Sequence, residues 1–275
     1  SYDIIVCDYN MNKDTNGQQL LEYLRSQNLL SPSAIFIMVT AENNYTLVAS
    51  AAEFQPDAYM VKPLTGGKLL ERLDRLLDKQ NALKAVSSKI NRKDYAGAVA
   101  ECDVVMQSEP KWAAEVIKIK ASSLLELGKP DEALAVYQKA LSLRDDLVWA
   151  KLGVARCYLM SGDLNEAKLA AKDVLTLSSQ YIPAYDLLAK ISEALGEDEE
   201  ALNSLNRSYD VIPSARRSRM VGDAAYRSGN TELARTAFER AVNHTKGSVT
   251  AYPSDVISLA QIHIDLGNAN LALET

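Results

Sequence analysis

The segment Ala121-Ser122-Ser123-Leu124-Leu125-Glu126-Leu127-Gly128-Lys129-Pro130-Asp131-Glu132-Ala133 ends one helix and begins another. Its skeleton is a small residue, a glycine seven positions on, and an alanine five positions after that. The skeleton returns at Ala155/Gly162/Ala167, Ala189/Gly196/Ala201, Gly222/Gly229/Ala234 and Ala260/Gly267/Ala272. Successive glycines lie 34, 34, 33 and 38 residues apart. Five such triplets at one period mean a stack of like units. The glycine ends the first helix of each unit in the left-handed conformation that costs it least. The alanines fall where neighbouring helices come too close for a larger side chain.

This spacing resembles the tetratricopeptide repeat over roughly 195 of the 275 residues. Tyr137 and Phe238 each follow the column alanine by four residues. Pro110 and Pro213 close units at the expected place, whereas Asp145, Ser179 and Lys246 stand there in other units. A degenerate first unit fits Lys79–Pro110, with Asp94-Tyr95 at its turn and Ala98 in the alanine column. The array is expected over 79–275 as about six units. The last breaks off at Leu271-Ala272-Leu273-Glu274-Thr275, so further units are expected beyond it.

The opening of the chain follows another pattern. Ile4-Ile5-Val6-Cys7-Asp8 is an apolar run ending in an acid, as in a buried parallel strand. Gln18–Gln27 has a helical stripe of Leu20, Leu21 and Leu24. Ala34–Thr40 reads as a second strand, Tyr45–Glu53 as a small-residue helix and Ala58–Val61 as a third strand, followed by Lys62-Pro63. Thr65 caps a helix with the stripe Leu69, Leu70, Leu73, Leu76 and Leu77. Between Thr65 and Asn91 there is no proline, and the only glycines are Gly66 and Gly67. That helix is therefore expected to run straight into the first repeat.

Three strand ends thus carry Asp8, Thr40 and Lys62. In this order and spacing they resemble the receiver domain of bacterial response regulators. The resemblance implies that Asp8 accepts a phosphoryl group, Thr40 bonds a phosphoryl oxygen and Lys62 pairs with it. Tyr59 matches the aromatic that changes rotamer on activation. Asn10 matches the residue whose backbone carbonyl, with Asp8, ligates Mg2+. Such transfer needs an in-line carboxylate and charge-gathering cations, and lysine serves as a compact one. Taken singly, Asp8 reads as a loop acid, Thr40 as a strand-end hydroxyl, Lys62 as a solvated base and Tyr59 as core.

Two departures stand out. The loop Met11–Gly17 lacks the family's usual proline and is one residue longer than is common. The family's first two strands and two helices, about 50 residues including the acidic pair that holds the metal, have no counterpart before Ser1. The chain is therefore expected to be a fragment of a longer protein, with Mg2+ bound in the full-length protein and not in this piece. The strand Ile4–Asp8 is expected to lie bare along one edge and to invite pairing with a second copy.

The expected architecture is a partial, flavodoxin-like α/β receiver of three parallel strands over 1–78, followed by an all-α solenoid. The function implied is two-component signalling in the bacterial cytoplasm. A sensor histidine kinase is the expected upstream partner, and protein binding by the repeats the output. The alternative is a constitutive scaffold whose receiver part never takes phosphate. By the family pattern the groove positions include Lys118, Ser122, Arg156, Lys190, Arg216, Arg219, Asp223, Tyr226 and Arg227. Six of these nine are basic, which favours acidic peptides; a merely solvated face is the plain alternative.

Composition sets limits. Net charge is −6, so no overall basic field recruits nucleic acid. No apolar run reaches the ~18–20 residues that cross a membrane. Cys7, Cys102 and Cys157 are scattered, which suits buried thiols in a reducing compartment. His244 and His263 have no partners at zinc-ligand spacing. No nucleophile triad or phosphate loop appears, so an enzyme is not expected.

Overall fold

The computed structural model describes residues 2–11, 16–27, 29–31, 34–41, 56–211, 213–246 and 251–274. The helix expected at Tyr45–Glu53 lies outside them. The chain divides into two compact units, Thr65–Ile191 and Ser1–Leu64 with Ser192–Thr275.

Within the first 64 residues, β1 (Ile4–Asp8), β2 (Ile35–Thr40) and β3 (Ala58–Val61) form a parallel sheet in the order β1-β2-β3. Helix α1 (Gly17–Ser26) starts one residue before the expected span. Asn16 and Gln19 explain the shift: each side chain accepts a hydrogen bond from the other's backbone N–H, at 2.9 Å in both cases. This reciprocal cap satisfies donors that a helix start otherwise leaves open. Leu21 packs with Cys7, Phe36 and Met38 in the core beneath α1. All six residues of β2 are buried, as expected of a central parallel strand. Strand β1 is one edge of the sheet among the described residues, and its burial alternates. Cys7 is buried, while Ile4 and Val6 are 40% and 44% exposed.

Helix α2 (Gly66–Ala82) begins at Thr65, whose hydroxyl accepts the Lys68 N–H at 3.4 Å. It does not continue into the repeats. Leu83, at φ −95° and ψ 6°, breaks it, and α3 (Lys84–Asn91) follows. The physical reason is packing. At the break Leu83 is buried with Val86, Cys102, Val105, Trp112 and Val116.

The remaining helices come in pairs. After α3 come α4 (Tyr95–Ser108), α5 (Ala113–Glu126), α6 (Pro130–Leu143), α7 (Val148–Ser161), α8 (Leu164–Leu177), α9 (Ile182–Leu195), α10 (Asp198–Val211), α11 (Ala215–Arg227), α12 (Thr231–Thr245), α13 (Pro253–Asp265) and α14 (Ala269–Glu274). A short 3-10 turn, Pro110–Trp112, precedes α5. All five period glycines have positive φ, from 70° to 85°. Lys93 does the same work in the first pair at φ 57°, without glycine's freedom. Ala121, Ala133, Ala155, Ala167 and Ala234 have no exposed surface. At Gly222 an added Cβ would lie 2.7 Å from the Phe238 ring, so the column's one glycine admits an aromatic from the next helix. Among the described residues no helix is long and apolar enough to cross a membrane.

Candidate functional site

Parallel strands put their C-terminal ends on one rim. Register aligns Asp8 with Val39, and Thr40 with Val61. Lys62, directly after β3, donates its backbone N–H to the Thr40 carbonyl at 2.8 Å. Its Nζ donates to the Asp8 carboxylate, closing a direct ion pair across 54 residues of sequence. The Asn10 N–H donates to the other carboxylate oxygen at 3.1 Å. Asp8 and Lys62 side chains are 38% and 47% exposed, whereas Thr40 is buried. The rim therefore offers an accessible carboxylate with a cation beside it.

The hydrogen bond from Lys62 holds the Asp8 carboxyl below its ordinary pKa, the Asn10 N–H adds to this, and partial desolvation opposes it. Burial pushes the neighbouring Cys7 thiol up, and Asp8 pushes it the same way. Tyr59 donates from its hydroxyl to Gln18 at 3.3 Å, tying β3 to α1. Gln18 was invisible to motif reasoning, because the pair lies 41 residues apart. Gly17 was also missed as a packing requirement. A Cβ there would lie 2.4 Å from the Asp8 carbonyl oxygen and 2.7 Å from the Met38 sulfur. The donors for a magnesium ion are thin. Among the described residues no three Asp, Glu, His or Cys side chains converge. Asp8 and the Asn10 carbonyl do not make up a site by themselves, since magnesium demands near-octahedral oxygen ligation.

The nine groove positions fall on the first helices of their pairs. In 65–191, Lys118 lies with its ammonium 4.8 Å from the centre of the Trp149 ring. Ser122 hydrogen-bonds Tyr137. Lys118, Arg156 and Lys190 make no ion pair among the described residues. In 192–275 the pattern changes. Arg219 grips the buried Asp255 with two hydrogen bonds, one of 2.7 Å, and stacks on Tyr252 at 4.3 Å. Arg227 pairs with Glu193, and the Tyr226 hydroxyl donates to Asp265 at 2.7 Å. Asp223 has its pKa raised by desolvation, with Arg227 and Arg219 pulling it back. The expected basic surplus is thus cancelled in part by the protein's own acids.

Two family models match the chain: a response regulator receiver domain at residues 1–74 and a tetratricopeptide repeat at 124–191. The chain joins a receiver-domain segment to tetratricopeptide repeats. The receiver segment is 32% identical over 78 residues to chemotaxis protein CheY-3 of Vibrio cholerae, covering 28% of this chain and 58% of that protein. Over 169 residues the chain is 22% identical to tetratricopeptide repeat protein 1 of Schizosaccharomyces pombe, covering 58% of this chain and 16% of the relative. The chain therefore spans under two thirds of either relative's length. A thermophilic TPR protein of Thermus thermophilus superposes with a TM-score of 0.52 at 16% identity, covering 67% of this chain and 98% of that one. At that identity the likeness speaks for the fold of the repeats.

Proposed function

We propose that in its parent protein this chain acts as a response regulator with a protein-binding output. Asp8 receives a phosphoryl group from the phosphohistidine of a sensor kinase. A carboxylate oxygen attacks phosphorus, the P–N bond breaks and the freed imidazole takes a proton. Lys62 turns from the carboxylate to the equatorial phosphoryl oxygens, where its charge is worth most as negative charge gathers. Thr40, on the same rim, donates its hydroxyl to one of them. The repeats then convey the state by binding a second protein, and the whole works in the cytoplasm.

The observation that carries this reading is the Lys62–Asp8 ion pair at the strand ends. The test uses the full-length protein with its phosphorylated kinase. Label on Asp8 by mass spectrometry, lost in Asp8→Asn, is the expected result. If the kinase never labels the protein while partner binding persists in Asp8→Asn, the repeats are a constitutive scaffold.

A second reading concerns association. The half-exposed Ile4 and Val6 on edge strand β1 favour pairing with a second copy. Light scattering on this chain should report a dimer, and Val6→Lys should return it to monomer; a wild-type monomer removes this reading.

A further inference from the structure

Residues 65–191 contain a pocket of about 340 Å³ whose walls are mainly apolar. Ile90 at the end of α3, Tyr95 at the start of α4 and Ile119 on α5 form those walls, and Lys118, Ser122 and Glu126 supply the polar lining. Ser122 is already engaged with Tyr137. Neither Lys118 nor Glu126 makes an ion pair among the described residues. They sit eight residues apart on α5, which a helix spreads over roughly 12 Å. The pocket is therefore apolar between a cation and an anion that both lack an ion-pair partner among the described residues. Trp149 sits beneath the Lys118 ammonium and leaves its N–H groups open to an oxygen acceptor. Lys118 is solvent-accessible yet crowded by protein, and that crowding lowers its pKa.

The geometry points to an extended peptide segment as the occupant: an acidic residue, a large apolar residue two positions on, and a basic residue two positions further. This deepens the reading of the repeats as a protein-binding output and rests on it. Alternate residues of an extended chain face the same way, so all three side chains can point into the pocket together. Four steps at about 3.3 Å cover the distance from Lys118 to Glu126. The central side chain enters the apolar walls, while its flanks meet the opposite charges. An all-acidic segment leaves Glu126 facing a like charge. An all-basic one does the same to Lys118.

The probe is the blocked peptide Asp-Gly-Phe-Gly-Lys, titrated into this chain with isoleucine methyls labelled for NMR. The Ile90 and Ile119 methyl signals should shift and saturate. Replacing Phe by Ala should weaken binding about tenfold or more, the loss of one buried aromatic. Asp-Gly-Phe-Gly-Asp and Lys-Gly-Phe-Gly-Lys should each bind roughly threefold more weakly, as rim charges do. In Lys118→Glu the preference should switch to Lys-Gly-Phe-Gly-Lys, a gain that only a folded protein can show. Three results would overturn the proposal: no saturable shift at about 10 mM, where affinity is weaker than any useful interaction; equal binding of the Ala peptide; or an unchanged peptide order in Lys118→Glu. The readout does not involve Asp8, so failure of kinase labelling and failure of this binding are separate results.

Discussion

The first helices of the repeats carry basic residues in both 65–191 and 192–275, and at the groove positions the two stretches differ, although Lys120 and Lys151 on the same helices of 65–191 pair with Asp103 and Asp173. Lys118, Arg156 and Lys190 carry their charge without an ion-pair partner among the described residues. Arg219 and Arg227 have theirs answered by Asp255 and Glu193. Lys118 and Arg219, each three residues before the small residue of the column, thus have different fates. What differs is whether an adjoining helix supplies an acid within reach. A basic side chain stays open where no acid comes within reach, and becomes a structural clasp where one does.

The largest test of this contrast is Asp255→Ala. Asp255 is 1% exposed, and its hydrogen bonds raise the Arg219 pKa. Removing it strands a half-buried guanidinium, so urea unfolding should show a loss of about 3–5 kcal/mol. A loss below about 1 kcal/mol would mean that the clasp is no different from the unpaired bases of the other stretch.

Next come Gly153→Ala and Gly222→Ala, one in each stretch. A Cβ would come 2.3 Å from the Tyr137 ring in the first and 2.7 Å from the Phe238 ring in the second. Each should cost about 1–3 kcal/mol by overpacking, read from thermal or urea melts. Phe238→Leu should restore part of the loss in Gly222→Ala and none in Gly153→Ala. Similar costs would show that the stretches share their packing while differing in charge.

Glu193→Ala should be much milder. Its partner Arg227 is 60% exposed, so the change in stability should stay under about 1 kcal/mol. Its visible consequence is a freed Arg227. Low-salt binding of an acidic peptide should rise in this variant, making 192–275 behave more like 65–191.

The smallest effect belongs to the exposed Asp8–Lys62 pair. The folded-state pKa of Asp8 is lowered, so its stabilisation is present above the unfolded value and fades as pH falls through the folded one. A carbon-13 NMR titration of the Asp8 carboxyl should give a midpoint below that of an ordinary aspartate. Lys62→Ala should move it upward. An unchanged midpoint would show that the ion pair is not populated in solution.

Much of this molecule was legible along the chain. The three strands fall where their apolar runs place them, because a run ending in a polar residue has few other ways to bury itself. Thr65 caps its helix as its hydroxyl allows. The helix break at Leu83 was not legible. Nothing local stops that helix; the core made by Val86, Cys102 and Trp112 turns it. Lys93 in the glycine column was missed for a related reason, since a lysine with positive φ is imposed by its surroundings. Gly153 carried no period signal, and its need for space became plain only beside Tyr137.

By itself the sequence determined the repeat period, the left-handed turns and the identity of the strand-end residues. These rest on local backbone limits that a glycine, an alanine or an apolar run expresses wherever it stands. Only the tertiary structure decided which charges meet. Asp8 and Lys62 lie 54 residues apart, Arg219 and Asp255 lie 36 apart, and Arg227 and Glu193 lie 34 apart. Charges attract over a few ångströms of space, and folding alone sets those distances.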